Sequence, residues 1–192
     1  MRIKVTNILD SLDLLGEENL KIELSRFVSA KNPDIEEFIK EKAIEFAKGK
    51  LSITYILSDM EDGAMLGYFT LTHKSLMVSG EMLSKTTQKR LMRYARFDIE
   101  TGNYMASAFL LAQFGKNYGV DNGKRISGSE MMKYVNVVLL DVQRRIGGGI
   151  MYLDCEDKEK LKEFYEGENF KKSGERFSAE DSKKYLQYIR FF

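Results

Sequence analysis

The sequence predicts a mixed α/β fold on three observations. A strand–turn–strand pattern surrounds Asp62-Gly63, Met105–Phe114 is apolar on both faces, and helical apolar periods alternate with short buried strands toward Phe192. The 192 residues suit a single domain spanning 1–192 with a sizeable core. No repeat period and no Pro, Gly or Ser-rich linker divides the chain.

The first clear element is a helix over Asn32–Lys48. Asn32 stands as N-cap before Pro33 at the first helical position, and Asp34, Glu36 and Glu37 complement the positive end of the helix dipole. Ile35, Phe38, Ile39, Ala43, Phe46 and Ala47 form one apolar stripe. Leu51–Asp59 and Met65–Leu76 read as antiparallel strands joined at Asp62-Gly63. Met105–Phe114 reads as a central strand. Met131, Val135, Val138, Leu139, Val142 and Ile146 give Ser127–Ile146 a helical period that stops at Gly147-Gly148-Gly149. A short strand Ile150–Asp154, a short helix Lys158–Glu166 with Leu161, Phe164 and Tyr165 inward, and a last strand Tyr185–Phe192 follow.

Composition removes whole classes of chemistry. One His (His73), one Cys (Cys155), one Pro (Pro33) and no Trp exclude a disulfide framework, a cysteine-rich metal site, and any triad built on a histidine other than His73. Thirty basic against 29 acidic residues leave net +1, so a polyanion partner would need a local patch. Met1-Arg2-Ile3-Lys4-Val5 leads into acids rather than an apolar run, and no segment approaches the length of a membrane span. Together with a single thiol this gives the expectation of a cytoplasmic protein without membrane contact.

The informative stretch is Leu110–Phe170. A central strand ends in a Gly-rich basic loop (Gly115, Lys116, Gly119, Gly123, Lys124, Arg125, Gly128) that opens into a helix. Backbone N–H groups and the positive helix end then meet at one point, an anion site suited to phosphate or pyrophosphate. Neither G-x-x-x-x-G-K-[ST] nor G-x-G-x-x-G is present in it, which argues against ATP and dinucleotides.

The segment Gly123-Lys124-Arg125-Ile126-Ser127-Gly128-Ser129-Glu130-Met131-Met132 resembles the Q/R-x-x-G-x-G/A loop and helix start of the GCN5-related N-acetyltransferase family. Gly128 stands at the last motif glycine, Gly123 replaces the leading Gln/Arg, and Ile126 stands where the middle glycine is usual. Cys155–Phe170 is similar to that family's fifth strand end and fourth helix, where a Phe-Tyr pair precedes a Gly-Phe turn; here Asn169 takes the glycine's place, and Asn enters left-handed backbone readily. Phe27–Ile39, Thr54–Leu57 and Leu66–Leu71 resemble the bacterial branch that includes toxins acetylating aminoacyl-tRNA. The resemblance does not by itself imply a toxin, since housekeeping and mobile-element relatives share the same scaffold.

The resemblance implies an acyl-CoA N-acyltransferase fold, a central mixed sheet flanked by helices, with acetyl-CoA as acyl donor and direct attack by a primary amine in a ternary complex. Such an enzyme needs no nucleophile of its own and works by positioning and electrostatics. Gln113, Phe114 and Gly115 would offer backbone groups to the pantetheine arm and thioester carbonyl. Ser127, Gly128 and Ser129 would offer N–H groups to the pyrophosphate, with Lys116, Gly123, Lys124 and Arg125 around it; a plain Ser127 N-cap is the structural alternative. Tyr165 would protonate the departing thiolate, or serve only as a half-buried aromatic. Asp157 and Lys160 either touch the donor or form a solvated helix face.

Glu81, Glu100 and His73 are candidates for a general base by residue type only, and Cys155 is expected to be a small buried filler. Lys85, Lys89, Arg90, Arg93 and Arg96 lie in Lys85–Arg96 without an acid. A helix there would bring Lys85, Lys89, Arg93 and Arg96 to one face, able to contact tRNA phosphates or simply to be balanced by the acids of Glu156–Glu168. The resemblance makes the α-amino group of an aminoacyl-tRNA the leading acceptor. A protein or small-molecule amine, or a non-catalytic CoA-binding or RNA-binding module, are the alternatives. The apolar C-terminal strand would complete the sheet or pair with a second subunit as a homodimer, and the sequence leaves an antitoxin partner undetermined.

Overall fold

The order of elements follows from where apolar residues need cover. The computed structural model describes residues 2–30, 32–178 and 182–192. The chain runs β1 (Ile3–Asn7), α1 (Ile8–Leu15), α2 (Glu17–Ser25), α3 (Pro33–Glu37), α4 (Ala43–Lys48), β2 (Ile53–Asp59), β3 (Met65–Ser79), α5 (Lys85–Leu91), β4 (Ala95–Asp98), β5 (Asn103–Lys116), α6 (Gly128–Ile146), β6 (Ile150–Glu156), α7 (Glu159–Gly167), β7 (Lys171–Ser178) and β8 (Lys183–Phe191). The eight strands form one mixed sheet in the order β1-β2-β3-β5-β6-β8-β7, with β4 on β5. No described helix is long and apolar enough to cross a membrane.

The chain divides into two compact units: the part up to Thr72 with Ala112–Leu139, and His73–Leu111 with Leu140–Phe192. In the first, β1 and β2 pair antiparallel from Ile3↔Asp59 to Asn7↔Tyr55, and β2 pairs β3 from Ile53↔Leu71 with an irregularity at Leu57/Ser58. The helices and the α2–α3 segment bury Ile8, Leu20, Leu24, Phe27, Phe38, Ile39, Ala43, Ile44 and Ala47 against Ile56 and Tyr68. The expected Asn32–Lys48 helix is present with one π turn, Phe38–Lys42, between α3 and α4. Asn32 makes no side-chain cap bond. Glu36 organises this end instead, accepting from Ser29 N–H and from Lys40 Nζ, each at 2.6 Å. The β2–β3 turn is the expected one: Gly63 takes φ +75°, and Asp62 Oδ1 accepts from Ala64 N–H at 3.0 Å.

In the second unit β4 pairs β5 antiparallel (Ala95↔Ala106), β5 and β6 pair in parallel at Phe109↔Met151 and Leu110↔Tyr152, and β8 lies antiparallel to both β6 and β7. The C-terminal strand therefore completes the sheet rather than offering itself to another subunit. Its core holds Leu76, Val78, Leu83, Leu91, Tyr104, Ala106, Ala108, Ile150, Tyr152 and Ile189. Asn169 takes φ +64° at the turn after α7, as expected.

The basic segment differs from the expectation of one helical face. Helix α5 stops at Leu91, so it carries only Lys85, Lys89 and Arg90; Arg93 lies in the following turn and Arg96 on β4, opposite Met105. The reason is tertiary: pairing of β4 with β5 fixes the backbone from Ala95 onward and overrides the helical charge spacing.

Candidate functional site

The end of β5 is shaped by a close approach. A Cβ on Gly115 would meet Ile35 Cγ2 at 2.4 Å and Phe27 Cζ and Tyr68 Cε1 at 3.3 Å, so only glycine fits there. Tyr68 is fixed from behind, donating from its hydroxyl to the Ile35 carbonyl at 2.6 Å. The parallel register of β5 with β6 runs through Phe109 and Leu110, and β5 continues beyond it to Lys116.

Beyond β5, Asn117 ties the loop to the unit. Its Oδ1 accepts from Val28 N–H (3.0 Å) and Gly119 N–H (2.9 Å), and its Nδ2 donates to the Met65 carbonyl (2.8 Å). This buried amide was not singled out in the sequence, because its partners are remote in the chain. Tyr118 then gathers two of the expected cations, Lys116 Nζ at 5.7 Å and Arg125 Cζ at 5.4 Å from its ring centroid, while Arg125 also donates to the Tyr118 carbonyl at 3.1 Å.

A short 3-10 turn, Asn122–Lys124, leads into α6. Lys124 is paired with Asp62, and Asp62 holds the ammonium pKa above its ordinary value by this hydrogen bond. Ile126, at the usual middle-glycine position, is a core residue at 2% exposure. Ser127 is the N-cap in a capping box: its Oγ accepts from Glu130 N–H at 3.1 Å, and Glu130 Oε2 accepts from Ser127 N–H at 2.9 Å and Oγ at 2.7 Å. The Ser127 amide is therefore committed to Glu130, whose carboxyl these bonds hold below its ordinary range. Gly128 and Ser129 open the first turn, where N–H groups lack intrahelical acceptors.

In the second unit Tyr165 is buried among Phe164, Phe170 and Tyr188, with ring centroids 5.0, 5.7 and 6.2 Å away. Burial pushes its phenol above the ordinary tyrosine range, with a further contribution from Cys155. Its hydroxyl has no hydrogen-bond partner among the described residues. Tyr188 differs: its hydroxyl donates to Glu166 Oε1 at 3.2 Å. Cys155 is buried and its thiol is pushed up to about 11, mainly by burial, which fits a filler. Asp157 pairs with Lys162 at 2.7 Å, while Lys160 is an exposed side chain.

His73 is exposed and rests edge-on against Phe109 at 5.2 Å; Glu81 and Glu100 are exposed. Arg90 lies over the Phe191 ring at 4.6 Å. Among the described residues no ion pair holds Lys85, Lys89, Arg90, Arg93 or Arg96; within the acidic stretch Glu156–Glu168, Glu156 pairs with Lys158 and Lys183, and Asp157 with Lys162 and Lys184.

No family model matches the sequence, and no curated protein sequence is similar to it. Solved structures are similar in fold. A Tyr-to-Phe mutant of KacT superposes with TM-score 0.65 at 20% identity, covering 98% of this chain and 95% of that one. AtaT complexed with acetyl-methionyl-tRNAfMet gives 0.64 at 14% identity, with 96% and 94% covered. AtaTR bound with acetyl-CoA gives 0.60 at 13%, with 98% and 92% covered. With its mixed sheet flanked by helices, the chain has the GCN5-related N-acetyltransferase fold.

Proposed function

We propose that this chain is an acetyl-CoA-dependent N-acetyltransferase whose acceptor is the α-amino group of an aminoacyl-tRNA. The observation that carries the reading is the end of β5, where a Cβ at Gly115 would strike Ile35, with the basic loop that runs from it into the start of α6, in a fold shared with structures bound to acetyl-CoA and to acetyl-methionyl-tRNA. The residues fit the donor. The Gln113–Gly115 backbone suits the pantetheine amides, while the Gly128 and Ser129 N–H groups with Arg125 and Lys116 suit the pyrophosphate. Ser127 shapes the helix start rather than donating its amide, because Glu130 already holds it.

Acetyl-CoA supplies an acyl group already activated as a thioester. The acceptor nitrogen forms the C–N bond to the acetyl carbon, the C–S bond breaks, the nitrogen loses a proton, and Tyr165 delivers a proton to the departing sulfur. The exposed cations Lys85, Lys89, Arg90, Arg93 and Arg96 serve as phosphate contacts for the RNA, which position without reading sequence.

Incubation with radiolabelled acetyl-CoA and charged or uncharged tRNA tests the reading. Label on charged tRNA alone is expected; label only on protein or polyamine would redirect the acceptor, and no transfer to any amine would end it. Replacing Lys89, Arg90 and Arg93 together by Ala is expected to weaken tRNA binding and flatten its salt dependence, because each phosphate contact releases about one counterion. Acetyl-CoA affinity should hold, and an equal loss of both would show a folding defect.

A further inference from the structure

The cationic loop before α6 is closed by acids of its own unit. The β2–β3 turn places Asp62 on Lys124, with Asp59 and Glu61 adding to the negative field felt by the lysine, and Glu130 takes the Ser127 amide. The two partners of the Asp62–Lys124 pair are not equally fixed. Asp62 is anchored, since its Oδ1 accepts from Ala64 N–H in the turn that Gly63 closes, leaving Oδ2 for the lysine. Lys124 reaches in from a three-residue 3-10 turn on a long, rotatable side chain. Both side chains are partly solvated, 38% exposed for Lys124 and 46% for Asp62, and such pairs are weak.

We propose that Asp62 is a displaceable counter-anion that holds the Lys124 ammonium until a phosphate ester of the acyl donor takes it, so that Asp62 sets donor affinity. The inference rests on the acyl-donor reading above. A phosphate ester carries more charge than a carboxylate and offers several oxygens, so it wins the lysine from a solvated Asp. The swing of Lys124 leaves Asp62 and its turn in place. The acid beside the loop thereby also penalises ligands that bring too little anionic charge to draw the lysine away.

Isothermal calorimetry with acetyl-CoA on the full chain tests this. Asp62→Asn is expected to bind acetyl-CoA about fivefold more tightly at low salt, the equivalent of removing one solvated ion pair from competition. The gain should fade toward none at about 1 M salt, where screening acts over a few ångströms. Lys124→Met should bind several-fold more weakly than the parent. Unchanged or weaker binding by Asp62→Asn, a gain that salt does not reduce, or unchanged binding by Lys124→Met each overturns the proposal while leaving the donor reading intact. Absence of acetyl-CoA binding by the parent and by Asp62→Asn alike would remove the donor reading and this inference with it. Thermal melts of both variants within a few degrees of the parent show that the fold is kept.

Discussion

Tyr165→Phe is expected to slow coenzyme A thiol release by about a hundredfold or more, the scale of a lost general acid, with acetyl-CoA affinity unchanged. The substitution removes one oxygen and keeps the ring against Phe164, Phe170 and Tyr188, so packing is conserved and folding should be too. Two tyrosines lie side by side here, and their hydrogen bonds separate them. Tyr188 already donates to Glu166, whereas the Tyr165 hydroxyl has no partner among the described residues. Burial raises the Tyr165 pKa, which favours the neutral phenol and keeps the proton available at every pH below its ordinary value of about 10. An alkaline decline in rate below that pH would therefore come from another group. The measurement is turnover by thiol release, with kcat separated from KM. Equal rates for parent and variant would leave Tyr165 as a core aromatic.

What the sequence disclosed divides by range. Long periodic segments were legible: the helix over Asn32–Lys48, the hairpin around Gly63 and the long helix ending at Ile146 all stand close to their expected bounds. The π turn at Phe38–Lys42 left no mark, because one extra residue in the turn still lets Phe38, Ile39, Ala43 and Ala47 face the core. The short elements β1, α1 and α2 were missed. Five to nine residues are too few for a period to show, and α2 buries only Leu20 and Leu24. Charge spacing misled at Arg93 and Arg96, where strand pairing decides the backbone. At the candidate site, the loop and its cations were readable as composition. The state of Lys124 was not, since its counter-ion Asp62 is 62 positions away.

Asn117→Ala is expected to destabilise the fold by about 3–5 kcal/mol, near the upper end for single substitutions, because it strands three backbone groups at once at about 1–3 kcal/mol each. The side chain is 4% exposed, so water cannot readily replace it. Val28 and Gly119 would lose the acceptor of their N–H groups, and Met65 would lose the donor to its carbonyl. The isosteric Asn117→Asp change isolates the donor. Its retained Oδ1 still serves Val28 and Gly119, but the second oxygen faces the Met65 carbonyl lone pairs and buries a charge, so Asp is expected to be no better than Ala despite its shape. Urea unfolding followed by circular dichroism measures both variants, and a loss under about 1 kcal/mol for each would show that the loop finds other partners. The consequence reaches the chemistry through the chain itself. Asn117 directly follows Lys116, the last residue of β5, and its two arms fix the loop to Val28 on one side and Met65 on the other. A loosened Asn117 is therefore expected to cost acetyl-CoA affinity under conditions where the rest of the protein is still folded.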